Sequence, residues 1–382
     1  MSLSRRRTLA LIGGGTIFAA AAAVGYDITR LPRDALRPWN MAGQYEDPRM
    51  RALSWAILAP NPHNLQPWKI DLSVPGQATL FVDTDRLLPQ TDPYSRQIVI
   101  GLGCFLEVLR MAALADGMAV AFDLFPEGAD DLRVDARPVA ICRFTPTDAA
   151  PDPLFAFVPQ RRSLKEAYDT DRPVPSADLE RVAAATRHFG MGFTTDPATV
   201  QEMRDISTEA IRIEFATERT LRESVELFRI GHREVNANPD GLEFMGPMFE
   251  TLRVTGLFTR EASMNPEGIV ARSADASFVA TMQTAMGHIW QVTPTNTRLD
   301  QIRAGIDWVR INLAATQLGL GLQPLSQALQ EYPEMASLYD DIHRRLAPEG
   351  GTVQMWARVG YGPDVMATPR WPLEAKLVRG TG

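Results

Sequence analysis

The sequence has little cysteine, little histidine and no concentrated charge. Of its 382 residues only two are cysteines, Cys104 and Cys142. No C-x-x-C occurs, so nothing supports a dithiol redox motif, a zinc knuckle or c-type haem attachment. The pair reads as buried apolar thiols, one on a helix and one on a strand. A disulfide between them stays open for a chain working in an oxidising compartment. The five histidines (63, 188, 232, 288, 343) lack the short H-x-x-x-H spacing of a helical zinc site, so no metal is expected. No block of five like charges appears and the net charge is −7, which leaves no footprint for nucleic acid. There is no G-x-S-x-G, and with it no nucleophile elbow for a hydrolase.

What is present is ample apolar material. A hydrophobic content of 45% is enough for one large domain or two core-forming units. The chain opens Ser4-Arg5-Arg6-Arg7-Thr8-Leu9, followed by an uncharged, Gly- and Ala-rich run from Leu9 to Tyr26. A basic stretch before a weakly apolar one reads as an export signal. Its twin arginines resemble a Tat signal, with Thr8 where that motif usually has Phe. The expected locations are therefore periplasm or cell envelope, with the Tat machinery as a partner. The run is also close to spanning length, so an uncleaved membrane anchor is the alternative. Gly13-Gly14-Gly15 has no strand before it and is no dinucleotide fingerprint.

Residues 1–26 are thus a signal or anchor, and 27–47 read as a polar, proline-punctuated linker. A first half covers 48–150. Its spacing predicts a short helix over 49–58, strands over 68–72 and 79–83, a long helix from Ser95 to about Ala115, and strands over 119–125 and 138–144. Gly101-Leu102-Gly103 falls inside the long helix, and Leu106 stands where a Rossmann fingerprint needs its third glycine. A second half covers 151–382. It holds a helix capped by Ser176, one long helical pattern over 198–229, a strand at 287–292, a helix from about Leu299 ended by Gly319, and a last strand at 353–359. Between them, 230–275 is rich in Gly, Asn, Pro, Met and Phe. It reads either as a mobile cover over a site or as an ordinary irregular subdomain.

Three segments carry chemistry. Ala59-Pro60-Asn61-Pro62-His63-Asn64-Leu65-Gln66-Pro67-Trp68 is a rigid connector. Its prolines fix φ and remove donors, while Asn61, Asn64 and Gln66 offer paired donors and acceptors to a ligand edge. Arg161-Arg162-Ser163-Leu164-Lys165 packs three cations and a hydroxyl into five residues. In an extended chain Arg161, Ser163 and Lys165 face one way, which suits a phosphomonoester as well as a solvated basic patch. Gly319-Leu320-Gly321 permits close backbone approach to a planar ligand, or simply ends a helix.

Together these segments resemble the motifs of the FMN-dependent nitroreductase superfamily: its Pro-Ser-x-His-Asn-x-Gln-Pro-Trp loop, its Arg-x-Ser-x-Lys/Arg segment and its Ala-Ala-x-x-x-Gly-Leu-Gly segment. The chain departs from the loop motif at Asn61, where Ser is common. The His63-Asn64 pair resembles the Acg-type branch, in which a lid covers the flavin. Arg370-Trp371-Pro372-Leu373 is similar to the family's C-terminal Arg-x-Pro-Leu, and Arg358 is a weaker candidate.

The resemblance implies an α+β nitroreductase-like fold with a central, mostly antiparallel sheet flanked by helices. The loop occurs once and the phosphate motif once, which implies two related halves fused as a pseudo-dimer with one composite site. It further implies FMN as cofactor, with Arg161, Arg162, Ser163 and Arg370 toward the phosphate, Lys165 toward the pyrimidine, and Asn61, His63, Asn64, Gln66, Gly319, Leu320 and Gly321 around the ring. His63 either donates a hydrogen bond, relays a proton or is structural; no nucleophile is required. The implied partners are a small electron acceptor (a nitro compound or quinone) and NAD(P)H. The alternative is a flavin-storage protein whose lid at 230–275 prevents turnover.

Overall fold

The computed structural model describes residues 30–378. The signal-like segment 1–26 lies outside them. Helix α1 (Arg33–Met41) is followed by α2 (Pro48–Ala56), which Asp47 caps by accepting from the Arg49 N–H. Strands β1 (Trp68–Asp71) and β2 (Gln77–Val82) lead to the long α3 (Arg96–Ala115), then β3 (Met118–Leu124) and β4 (Ala140–Pro146). After a boundary come α4 (Ser176–Ala183), β5 (Met191–Thr194), α5 (Pro197–Ala216) and α6 (Glu218–Glu226). A small subdomain holds β6 (Phe228–Ile230), α7 (Gly231–Ala237), β7 (Leu242–Phe244), α8 (Pro247–Val254), α9 (Arg260–Ser263) and α10 (Ile269–Met282). The chain closes with β8 (Gly287–Thr293), α11 (Arg298–Gln317), β9 (Gly321–Pro324), α12 (Ala336–Leu346), β10 (Thr352–Gly360) and β11 (Leu377–Val378).

The α+β expectation holds, with mostly antiparallel strands divided between two sheets, one per half. The first runs β11-β1-β2-β4-β3 and the second β5-β8-β10-β9. Within these two sheets only β11 is parallel to its neighbour, pairing Ile70 with Leu377, while β6 and β7 form a separate two-stranded parallel sheet. The C-terminal arm therefore returns from the second half to complete the first half's sheet. β1 and β2 alternate buried and part-buried residues, as half-buried strands do, whereas β10 is buried along nearly its whole length.

The halves meet where α3 crosses α11. A Cβ at Gly103 would overlap the Ile302 carbonyl oxygen and lie 2.9 Å from the Gly305 Cα. A Cβ at Gly305 would overlap the Ile100 carbonyl oxygen. Gly103, part of the failed dinucleotide turn, thus lets two helix backbones touch together with Gly305. Around it one apolar core runs from Trp68, Ile70 and Leu80 through both helices to Ile289, Leu322 and Val359. Helix α3 is long and apolar enough to cross a membrane, but its residues are buried inside this core.

Three expectations need correction. The linker contains α1, tied down by contacts described below. The pattern over 198–229 is two helices, because Thr217 adopts extended backbone (φ −86°, ψ 106°) and separates α5 from α6. Ser176 starts α4 without capping it; its Oγ bonds Thr195 Oγ1 3.1 Å away. Segment 230–275, read as a mobile cover or an irregular subdomain, packs with Phe228 into an aromatic interior, in which Phe228, Phe244, Phe249 and Phe258 contact one another at 4.6–6.0 Å between ring centroids. Met248 in the same segment is 62% exposed. Both cysteines are free and buried, and burial pushes each thiol up to about 12.

Candidate functional site

The loop between α2 and β1 is held in a conformation that few side chains adopt readily. His63, Asn64 and Gln66 have φ of 47°, 52° and 53°, in the left-handed region. Three such residues persist only when their surroundings over-determine them. Asn61 Oδ1 accepts from the Gln66 N–H at 2.7 Å, and Asn61 Nδ2 donates to the Ala59 carbonyl. Gln66 is fully buried. Its Nε2 donates to the Pro239 carbonyl at 2.7 Å, its Oε1 accepts from the Trp371 N–H, and its carbonyl accepts from Lys376 Nζ at 2.8 Å. Asn61 and Gln66 therefore brace the loop. Trp68 is an anchor, fully buried with its ring 5.0 Å from Phe105.

Arg370 is likewise committed. Its Nε donates to the Ile57 carbonyl, its Nη2 to Leu58 and Ala59, and its Nη1 to Asn64 Oδ1 and Thr368 Oγ1 at 2.6 Å each. With every donor bonded within the protein, it clamps the loop and adds positive charge at the site instead of grasping an anion directly. Arg358 is spent too, on Gln323, Thr284 and the Glu166 carbonyl, with Tyr168 stacked on its guanidinium at 4.0 Å.

The segment 161–165 lies against this loop. Arg161 is 4% exposed and its Nη2 donates to the Leu58 carbonyl at 3.4 Å, the same carbonyl that Arg370 holds. Leu164 N–H pairs with the Leu322 carbonyl at 2.8 Å, and its side chain packs where Gly321 has no Cβ. This close approach accounts for Gly321. Gly319 ends α11 with φ +70° and an open face. Leu320 is buried, Ser163 is half-buried and Lys165 is exposed. The fold thus gathers the loop, the Arg-Arg-Ser-Leu-Lys segment and the Gly-Leu-Gly segment in one place, as the sequence predicts.

The electrostatics there are one-sided. Arg161, Arg162 and Arg370 form no ion pair with a carboxylate among the described residues. Burial first, and Arg162 second, lower Arg161 to about 10. Burial and then Arg161 lower Arg370 to about 9, with only Glu243 opposing from a distance. His63 is lowered to about 4 by burial and by Lys165, so it is neutral at pH 7. Three buried polar atoms in this cluster have no partner: Arg161 Nη1, Arg162 Nε and His63 Nδ1. Buried donors without partners cost about 1–3 kcal/mol each, and buried like charges add to that. Such a cluster fits a dianionic ligand that supplies acceptors and neutralises charge. Among the described residues no His, Cys, Asp and Glu group is placed to hold a metal ion.

Sequence reasoning missed Asp240, Lys376 and Trp39. Asp240 binds Arg86 and Arg229, and accepts from Trp371 Nε1 at 2.8 Å. It joins the 228–244 segment to the core and to the C-terminal arm. No motif marks any of the three; their partners are distant in sequence.

No protein-family model matches the chain. Among curated proteins it is similar to one of Mycobacterium tuberculosis provisionally named as the NAD(P)H nitroreductase Rv3131, at 28% identity over 84% of this chain and 91% of the relative. It is also similar to the provisionally named NAD(P)H nitroreductase acg of that organism, at 25% identity over 85% and 93%. Among solved structures it overlaps the FMN-dependent nitroreductase NfnB of Mycobacterium smegmatis, solved with NADPH, at 19% identity over 56% of this chain and 92% of that one, with a TM-score of 0.31. At that score the superposition carries no argument about the site. The chain is thus similar, along nearly the whole length of each, to two mycobacterial proteins provisionally named as NAD(P)H nitroreductases.

Proposed function

We propose that the chain is an FMN-dependent oxidoreductase of nitroreductase type that reduces a small electrophile such as a nitro compound or quinone. The observation that carries this reading is the buried cation cluster with unpartnered donors and no carboxylate. Arg161, Arg162 and Ser163 would hold the FMN phosphate, with Arg370 behind them as a fixed charge. Asn64, bound to Arg370, keeps the loop in register. Lys165 and His63 sit toward the ring, where a cation favours the anionic reduced form. Bound FMN supplies hydride exchange between a reduced nicotinamide or other donor and the acceptor. Neutral His63 offers one ring nitrogen for a hydrogen bond, and it is no proton donor at pH 7.

The proposal extends to export. Arg5-Arg6-Arg7 with the apolar run to Tyr26 supports a Tat signal, and such a route carries folded proteins with their cofactors in place. The protein would then work in the periplasm or cell envelope, anchored if the signal is retained. Reduced nicotinamides are scarce there, which makes another electron donor part of the question.

The experiment is a flavin spectrum. Wild type purifies yellow and releases FMN on heating. The variant Arg161→Ala with Ser163→Ala remains folded by circular dichroism and loses FMN. A double variant with stoichiometric FMN sinks the phosphate assignment.

A second reading, flavin storage without turnover, is favoured by one observation. The 236–243 stretch lies directly on the loop, through the Gln66–Pro239 bond and the Asp240 contacts. Stopped-flow mixing with NADH and NADPH separates the two. Rapid loss of flavin absorbance excludes storage; no bleaching with several donors excludes the simple reductase.

A further inference from the structure

We infer that Trp39 is a residue of the cofactor site, and that α1 is a strap closing the site's phosphate end. The inference rests on the phosphate reading above. The indole of Trp39 lies 4.7 Å from the Arg162 guanidinium carbon and 5.6 Å from that of Arg370. Guanidinium over an indole face is the strongest common cation–π arrangement, and it gains when desolvated.

Helix α1 is poorly equipped to stand there for its own sake. It has nine residues, a proline inside (Pro38), no side-chain cap, and only Ala35 and Pro38 buried. A helix this short is marginal without tertiary contacts. What holds it is a set of bonds to the parts that surround the site. Arg370 N–H donates to the Ala35 carbonyl at 2.9 Å, and Trp39 Nε1 donates to the Thr368 carbonyl at 2.8 Å. Ala35 N–H donates to Asn236 Oδ1 at 3.1 Å, which reaches the 230–275 subdomain. Behind α1 lies a cleft of about 500 Å³, lined by Pro38, Met41, Ile57, Trp371 and Leu373. The helix is therefore fastened by its edges and its tryptophan rather than by a packed base, and it has room to move.

Coupling follows from charge. Without an anion, Arg161, Arg162 and Arg370 repel one another, and Arg161 Nη1 and Arg162 Nε, the latter beside Trp39, have no acceptor. A phosphate that neutralises and orients them stabilises the stack, and so the docked strap. Linkage makes this reciprocal: a docked strap slows loss of the phosphate. The strap begins only a few residues after Tyr26, so loading of the site is communicated to the segment next to the apolar N-terminal run.

The test uses hydrogen–deuterium exchange across 33–41 and the rate of FMN release, read by the fluorescence of freed flavin. Saturating FMN should slow exchange of the strap about 10-fold in wild type, and inorganic phosphate alone should do so partly. Trp39→Ala should release FMN about 10-fold faster than wild type and abolish the protection, while Trp39→Phe, which keeps a ring, falls between. Melting of the flavin-free variants checks that each is folded. Wild-type protein that binds FMN yet shows equal exchange with and without it overturns the strap alone. So does a Trp39→Ala variant that holds FMN as long as wild type. Wild-type protein that takes up no FMN overturns the phosphate reading and the strap with it.

Discussion

Two arginines that each bond a carbonyl just past a short helix have opposite surroundings. Arg161 donates to the Leu58 carbonyl just past α2, and Arg310 donates through Nε to the Ala185 carbonyl just past α4. Each thereby secures the exit from a short helix toward a strand, Arg161 toward the first half's sheet and Arg310 toward the second's. Arg310 is matched by acids: its Nη1 lies 2.8 Å from Glu107 and 2.6 Å from Asp152, and Arg110 joins the same carboxylates. Burial pulls Arg310 down, yet Asp152 and Glu107 outweigh it and hold it above its ordinary value. Arg161 has only other cations beside it and is pushed down. One place is electrostatically finished by the protein, and the other leaves buried donors without a partner.

The most severe way to break the comparison is to separate the halves. Gly305→Val sets a branched side chain into the α3 backbone at Ile100 and Gly103. Overpacking of this kind costs about 3 kcal/mol or more, so soluble folded protein should be absent on expression.

Next comes the pair itself. Arg310→Ala leaves the 1%-exposed Glu107 with less compensation and should lower stability in urea by about 3 kcal/mol. Arg161→Ala should change flavin-free stability by no more than about 1 kcal/mol, because relief of charge repulsion offsets lost packing, while FMN affinity collapses. Equal destabilisation by the two substitutions would erase the distinction.

The smallest effect is a pH slope. His63 is held to about 4 when folded, whereas an unfolded histidine titrates near 6.5. Between those values the unfolded chain binds the proton and the folded one does not. Stability therefore falls as pH drops from about 6.5 to about 4, and then levels off. His63→Asn should flatten that limb in urea titrations at several pH values. His288, fully buried and accepting from Trp356 Nε1 at 3.1 Å, supplies a remaining slope of the same sign. An unchanged limb in His63→Asn would mean that the imidazole already carries its proton in the fold.

Much of the fold was legible because it is local. The alternation in β1 and β2, and the apolar stripes of α3 and α11, arise from periodicity that burial on one side imposes. The motif residues were legible too, as types suited to phosphate and to amide edges. Their roles were less so. Gln66 and Arg370 hold the loop, and nothing local reveals that Pro239, Trp371 and Lys376 would use the hydrogen bonds of Gln66, or Ile57 to Ala59 and Asn64 those of Arg370. Helix α1 was hidden because prolines and polar residues mask a nine-residue element whose stability comes from Thr368, Arg370 and Asn236.

By itself, the sequence determined which segments could form helices and strands, and it placed one amide-bearing loop and one basic segment in separate halves. Local geometry and residue chemistry suffice for that. Only the tertiary structure decided that Gly103 and Gly305 bring those halves together, that Arg310 is neutralised while Arg161 is not, and that Trp39 lies against Arg162 and Arg370. Charge balance and burial are set by neighbours a hundred or more residues away, and no reading of local pattern contains them.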